Sequence, residues 1–219
     1  MCDKKKMLFV HSAGNENSNN ATYDVGQYNQ LPGNMAKISS YEKTCAIVKQ
    51  LLLSFLARNT ARILIDIGAI NFSLVTPFRL SSGFLSPSYI DCRKIIAYPS
   101  AFKSITDMMI DTIKSDMVSQ SPNYIIGGET AGIPFGAVIA EKMGLPLSYV
   151  RKKAKDYGKN KLIEGDIFKE KNSLLVEDLM TDGKSKINFV ENIRSHGIKC
   201  DLSLVVFKYN IFKEADISM

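Results

Sequence analysis

The chain has 219 residues, 45% of them hydrophobic and 23% charged, with no Trp. Those proportions fit one globular domain, with or without a small cap, and exclude a low-complexity or fibrous protein. The formal charge of +6 admits an anionic partner, but a Lys-rich composition explains it as well as nucleic-acid binding does.

The chain opens with KKKMLFVH at residues 4–11, whose apolar run is too short for a secretory signal. Residues 12–40 are rich in Asn, Ser and Gly without apolar periodicity, so 1–40 is expected to be a polar, disordered extension, with Met35 an alternative start. From about 42 to 68, Ile47, Leu51, Leu52, Phe55, Leu56, Ile63, Leu64 and Ile67 recur at helical spacing, and Gly68 is placed to end that helix. Its most apolar part, 45–56, is interrupted by Lys49, Gln50 and Ser54 and falls short of a membrane span. Residues 72–92 read as short strands punctuated by Pro77, Gly83 and Pro87. Pro99 opens a second amphipathic helix with Phe102, Ile105, Met109, Ile113 and Met117 on one face. Cys2, Cys45, Cys92 and Cys200 are scattered and only His11 and His196 could join them, so zinc is not expected. Reduced thiols in the cytoplasm are the expectation.

After Pro122 the rhythm changes. Strands are expected at 124–128, 147–150, 173–178 and 201–207, with helices over 130–143 and from Gly183 to Gly197. Short apolar runs alternating with helices give an α/β fold with a parallel sheet covered on both faces. Sites in such sheets lie at the carboxyl ends of the strands, here at Glu129, Arg151 and the pair Glu177–Asp178.

The segment VEDLMTDGKSK at 176–186 ends like a nucleotide-binding P-loop, but that motif needs Gly five residues before Gly183, where this chain has Asp178. A carboxylate there would repel a triphosphate. What remains is a strand ending in two acids, then a short polar loop running into a helix N-terminus. Backbone amides and the helix dipole can hold one phosphate, and the acids suit the hydroxyls of a sugar. A ribose 5-phosphate would satisfy both.

This segment resembles the phosphoribosyl-pyrophosphate (PRPP) signature of type I phosphoribosyltransferases. FRLSSGFLSPSYIDCRK at 78–94, IIGGETAGIPFGAVIAEKMGLPLSYVRKKAKDYG at 125–158 and IEGD at 163–166 are similar, in order, to segments of orotate phosphoribosyltransferases. The resemblance covers roughly 60–210. It implies a type I phosphoribosyltransferase-like parallel sheet flanked by helices, with a small cap, or hood, over the base site. The hood and N-terminal helix would occupy 41–97 and the core 98–219, with a mobile lid at 151–165.

The implied reaction transfers the ribose 5-phosphate of PRPP to orotate, giving orotidine 5′-monophosphate and pyrophosphate, with Mg²⁺ as cofactor. Lys155 and Asp178 would be catalytic. PRPP would be bound by Arg151, Lys152, Lys155 and Tyr157 in the lid, by Glu177 and Asp178 at the ribose hydroxyls, and by Leu179, Met180, Thr181, Asp182, Gly183, Lys184 and Ser185 around the 5′-phosphate. Thr181, Ser81, Ser82 and Gly83 would bind orotate, with Phe84 walling the pocket. Tyr89, Asp91 and Arg93 would be structural or lie near the base. No direct protein ligand to the metal is implied, and the lid would be shared within a homodimer, with no nucleic acid or membrane as partner. Ser81 and Ala131 stand where many members carry Lys, and Tyr157 where many carry His. An orotate-reading Arg is missing near Lys208, so Arg79, Lys208 or backbone amides would take its place. The end at Met219 would leave part of the hood out. Alternative readings are transfer to another base, or a non-catalytic PRPP sensor on the same fold.

Overall fold

Side chains on successive strand residues point to opposite faces, and the apolar runs here fill two cores by that alternation. The computed structural model describes residues 8–11, 40–73, 75–80, 83–116, 121–153 and 162–209. In chain order these form β1 (Leu8–His11), α1 (Ser40–Asp66), β2 (Ile70–Phe72), β3 (Phe78–Arg79), β4 (Leu85–Ser86), β5 (Ser88–Ile90) and a 3-10 turn (Cys92–Ala97). Then come α2 (Pro99–Asp116), β6 (Tyr124–Gly128), α3 (Gly132–Met143), β7 (Leu147–Val150), β8 (Ile163–Glu164), β9 (Asn172–Met180), α4 (Lys184–Ser195) and β10 (Lys199–Lys208).

Six strands make the main sheet, in the order β1-β10-β9-β6-β7-β8. Every pairing is parallel except the β7–β8 edge. On one face Ile125, Leu174, Val176 and Leu204 pack with Leu64 of α1, Ile105 and Met109 of α2, and Phe135 and Ile139 of α3. On the other, Tyr124, Ile126 and Leu175 meet Phe189, Val190 and Ile193 of α4. Strands buried on both faces read as continuous apolar runs, which is why 124–126 and 174–176 lack polar alternation.

Two strands lie within the segments expected to be an extension and a lid. Residues 1–40 are not uniformly a loose extension, because Leu8–His11 form an edge strand parallel to β10, with Leu8 opposite Leu202 and His11 opposite Val205. Nor does the segment 151–165 stand wholly apart as a lid. Ile163 and Glu164 are hydrogen-bonded strand partners of Val150 and Tyr149, and Ile163 is buried.

The first helix ends as expected. Gly68 adopts φ +64, the left-handed conformation that closes helices, and Lys94 Nζ donates to its carbonyl at 2.8 Å. Beyond it, β2 pairs antiparallel with β5, and β3 with β4, giving the small hood. Tyr209, just past β10, ties hood to core. Its hydroxyl donates to Ser88 O and accepts from Ile90 N, both at 3.2 Å, and its amide donates to Met180 O at 2.9 Å. Among the described residues no helix is long and apolar enough to cross a membrane.

Because β6, β7 and β9 run in parallel, their carboxyl ends share one edge. The loops 129–131, 151–153 and 181–183 are therefore neighbours, at the place where open α/β sheets bind ligands.

Candidate active site at the carboxyl edge of the sheet

Strand alternation separates the two acids at the end of β9. Glu177 turns toward α4 and is only 5% exposed. Its Oε2 accepts from Lys186 Nζ at 2.6 Å, and both side chains are buried. Its Oε1 has no hydrogen-bond partner among the described residues. That oxygen lies where a Cβ on Gly128 would sit, and 2.9 Å from one built on Gly132. The glycines of GGETAG thus make room for a carboxylate. Burial dominates its titration and raises its pKa above the usual 4.5, with the Lys186 ammonium pulling the other way. Asp178 is half-buried on the opposite face, near enough to Cys92 to reinforce the rise that burial imposes on that thiol.

The next loop is built to open a helix. Gly183 has φ +85, a conformation that disfavours any side chain, and its carbonyl accepts from Lys186 N at 2.9 Å and Ile187 N at 3.0 Å. Asp182 is buried, with Oδ1 accepting from Lys184 N at 3.3 Å and Oδ2 paired with Lys184 Nζ at 3.3 Å. Lys184 itself is mostly exposed, so its charge is spent on Asp182 at the loop surface. Leu179 and Thr181 are half-buried, Met180 is buried and Ser185 is exposed. The cap residue Gly183 supplies no side-chain cap and Asp182 takes the Lys184 amide, at a helix terminus whose dipole favours an anion.

Cations enter from β7. Arg151 bonds the returning chain through its amide to Leu162 O at 2.8 Å. Its guanidinium lies 3.7 Å from Glu129 Oε1 and 3.9 Å from Glu164 Oε1. Glu129 Oε2 also accepts from Lys152 N at 2.8 Å, so one carboxylate ties the β6–α3 loop to the start of the loop after β7. The Glu129–Thr130 peptide is cis. Lys152 and Lys153 are exposed. Lys155 and Tyr157 lie outside the described residues.

Of the expected base-side residues, Ser81 and Ser82 are likewise outside the described residues. Gly83 has φ +87 and forms the turn between β3 and β4, its amide donating to Leu80 O at 2.9 Å. Phe84 is 44% exposed. Tyr89, Asp91 and Arg93 hold one another: Arg93 Nε bonds Asp91 Oδ1 at 2.6 Å and Nη2 bonds the Tyr89 hydroxyl at 3.0 Å. Arg93 thereby ties Tyr89 to Asp91.

The sequence reading missed Lys186, Tyr209 and the bracing role of Glu129. A signal for Lys186 was present: it shares the helical stripe of Phe189, Val190 and Ile193, and a Lys on a buried stripe demands a buried partner. Among the described residues no group of three or more His, Cys, Asp or Glu is arranged to hold a metal ion.

Comparison with known proteins agrees with this arrangement. Residues 93–217 match the phosphoribosyl transferase domain family. The chain is 50% identical over 159 residues to the orotate phosphoribosyltransferase of Roseobacter denitrificans, covering 73% of this chain and 71% of that one. The crystal structure of orotate phosphoribosyltransferase from Aeropyrum pernix is 28% identical with a TM-score of 0.56, over 68% of this chain and 81% of that one. An adenine phosphoribosyltransferase structure, 19% identical with a TM-score of 0.52 over 69% and 89% of the two chains, shares the fold. The acids of β9, the glycine-opened helix beside them and these matches converge on one conclusion: the chain belongs to the orotate phosphoribosyltransferases.

Proposed function

We propose that the protein transfers the ribose 5-phosphate of PRPP to N1 of orotate. The bond from C1 of the ribose to the pyrophosphate oxygen breaks, its electron pair leaving with pyrophosphate, while N1 of orotate gives up its proton to water and supplies the freed pair for the new C1–N1 bond. The observation that carries the reading is the convergence, on one sheet edge, of the β9 acids, the Gly183-opened N-terminus of α4 and the Arg151 region.

In this reading Asp178 accepts hydrogen bonds from the ribose hydroxyls, while Glu177, expected to share that role, holds Lys186 with one oxygen and keeps the other buried against Gly128 and Gly132, supporting the site from behind. Thr181 to Ser185 receive the 5′-phosphate with backbone amides and the α4 dipole. Thr181 also borders the base, beside Ser81, Ser82 and Gly83. Arg151 and Lys152 form the root of a lid whose Lys155 meets the departing pyrophosphate, with Tyr157 beside it. Cations placed where charge develops lower the barrier, since the oxocarbenium-like transition state is stabilised mainly by electrostatics and positioning. The acid–cation mixture at this edge suits Mg²⁺ carried on pyrophosphate and ribose hydroxyls, which would neutralise leaving-group charge without a protein cage. Exposed Phe72, Val75, Phe84 and Leu85 on the hood support a homodimer, and the buried free thiols Cys92 and Cys200 support a reducing, cytoplasmic setting.

The test is an ultraviolet assay of orotate loss with PRPP and Mg²⁺ for the wild type and Lys155→Ala. Turnover is expected in the wild type and a fall of about 10²-fold or more in the variant, with PRPP binding kept. PRPP binding without orotate turnover in the wild type would move the protein to another base or to the sensor class.

A further inference from the structure

Lys186 is a buried cation that the reaction scheme does not use. It is 6% exposed, in the first turn of α4, and its Nζ is 2.6 Å from Glu177 Oε2. Its amide bonds Gly183 O at 2.9 Å, the residue that opens the phosphate loop. The other oxygen of Glu177 is packed against Gly128 and Gly132, at the two ends of the β6–α3 loop. That loop also carries Glu129, which braces Arg151 and the amide of Lys152. One buried ion pair therefore links the loop at 181–185 to the loop at 128–132 and, through it, to the root of the lid.

We propose that Lys186 is a positioning residue for the PRPP site, whose bond to Glu177 fixes the 5′-phosphate loop and the β6–α3 loop relative to each other. The assignment rests on the PRPP reading above. Two features of the geometry make the tie stiff. Glu177 is the sixth residue of a nine-residue strand, which β10 pairs on one side through Met180 and β6 on the other through Val176. The glycine surfaces leave the carboxylate no room to turn away, since a single methyl group at either position would overlap Glu177 or the strand beneath it. Swinging Lys186 out would leave a buried carboxylate unpaired, which proteins avoid. Base-side residues such as Gly83 and Phe84 belong to the hood and have no part in this link.

A lysine with this role controls PRPP and leaves orotate alone. The experiment measures PRPP affinity by calorimetry, and KM for each substrate, for wild type, Lys186→Met and Lys186→Arg, with folding checked by circular dichroism. Lys186→Met is expected to weaken PRPP at least 10-fold and raise its KM in step, with the orotate KM changed less than twofold. Lys186→Arg, which keeps the charge and a donor, is expected within about threefold of wild type in PRPP affinity. A folded Lys186→Met that binds PRPP like the wild type overturns the proposal, as does an equal rise in both KM values. If Lys186→Met does not fold, Lys186→Gln carries the same comparison, and failure of both to fold assigns the residue to stability alone and overturns it. A wild type that binds no PRPP would instead sink the PRPP reading itself, so the two failures are distinct.

Discussion

The β9–α4 corner and the hood use glycine in opposite ways. In the corner, Gly128 and Gly132 are tight: a Cβ at the first would run into Glu177, and at the second into the carbonyl of Val176. In the hood, Gly83 has φ +87 with nothing within 4 Å of a Cβ. The corner spends glycine on closeness, the hood on a turn. The difference teaches that the β9–α4 corner, the proposed phosphate half, is held by packing and buried charge, whereas the hood, the proposed base half, hangs on short hairpins and a few hydrogen bonds.

The sharpest way to break that contrast is to remove the buried charge. Lys186→Met should destabilise the protein by about 3–5 kcal/mol near neutral pH, the usual effect of orphaning a buried ion. The loss is pH-dependent in a defined direction. The pKa of Glu177 is already raised by burial above the usual 4.5, and without Lys186 it rises further. A carboxyl with a raised folded pKa contributes stability that is complete below its unfolded value and lost as pH climbs through the folded value. The deficit should therefore shrink toward pH 4.5 and grow above it, as denaturant melts across pH would show. A deficit independent of pH would contradict the pairing.

Gly132→Ala comes next, at about 3 kcal/mol of stability, because the new methyl group meets backbone that cannot yield easily. A melting temperature within a degree or two of wild type would show that the corner is looser than described. In the hood, Tyr209→Phe removes the hydroxyl that holds Ser88 and Ile90 and should cost about 1–2 kcal/mol. It should also raise the KM for orotate more than that for PRPP. The smallest effect is expected for Gly83→Ala, about 1 kcal/mol, from the left-handed backbone alone. If Gly83→Ala proved as harmful as Gly132→Ala, the distinction between the two regions would fail.

The same distinction governed what the sequence could tell. Runs such as YIIGG and SLLVED are local signals of doubly buried strands, and both strands formed, as Tyr124–Gly128 and Asn172–Met180. Gly183 and the acids before it sit within a few residues of each other, so the phosphate corner was readable from one short segment. Other features depend on partners far along the chain. Leu8–His11 become a strand only because β10, almost 200 residues later, offers an edge. Tyr209 meets Ser88 and Ile90 across some 120 residues. The pair Glu177–Asp178 looks uniform in sequence, yet the two-residue period of β9 buries one and leaves the other half-open. That parity, read together with Lys186 on the apolar stripe of α4, would have predicted the ion pair.

The central claim is a PRPP half joined to an orotate half on one sheet edge. Its most direct test is a competition. The wild-type protein is incubated with PRPP, Mg²⁺ and equal concentrations of orotate, uracil, adenine and hypoxanthine, and the nucleotides are separated by chromatography. The account predicts orotidine 5′-monophosphate and equimolar pyrophosphate, with no other base consumed. Formation of a different nucleotide, or of none while PRPP is bound, would contradict it.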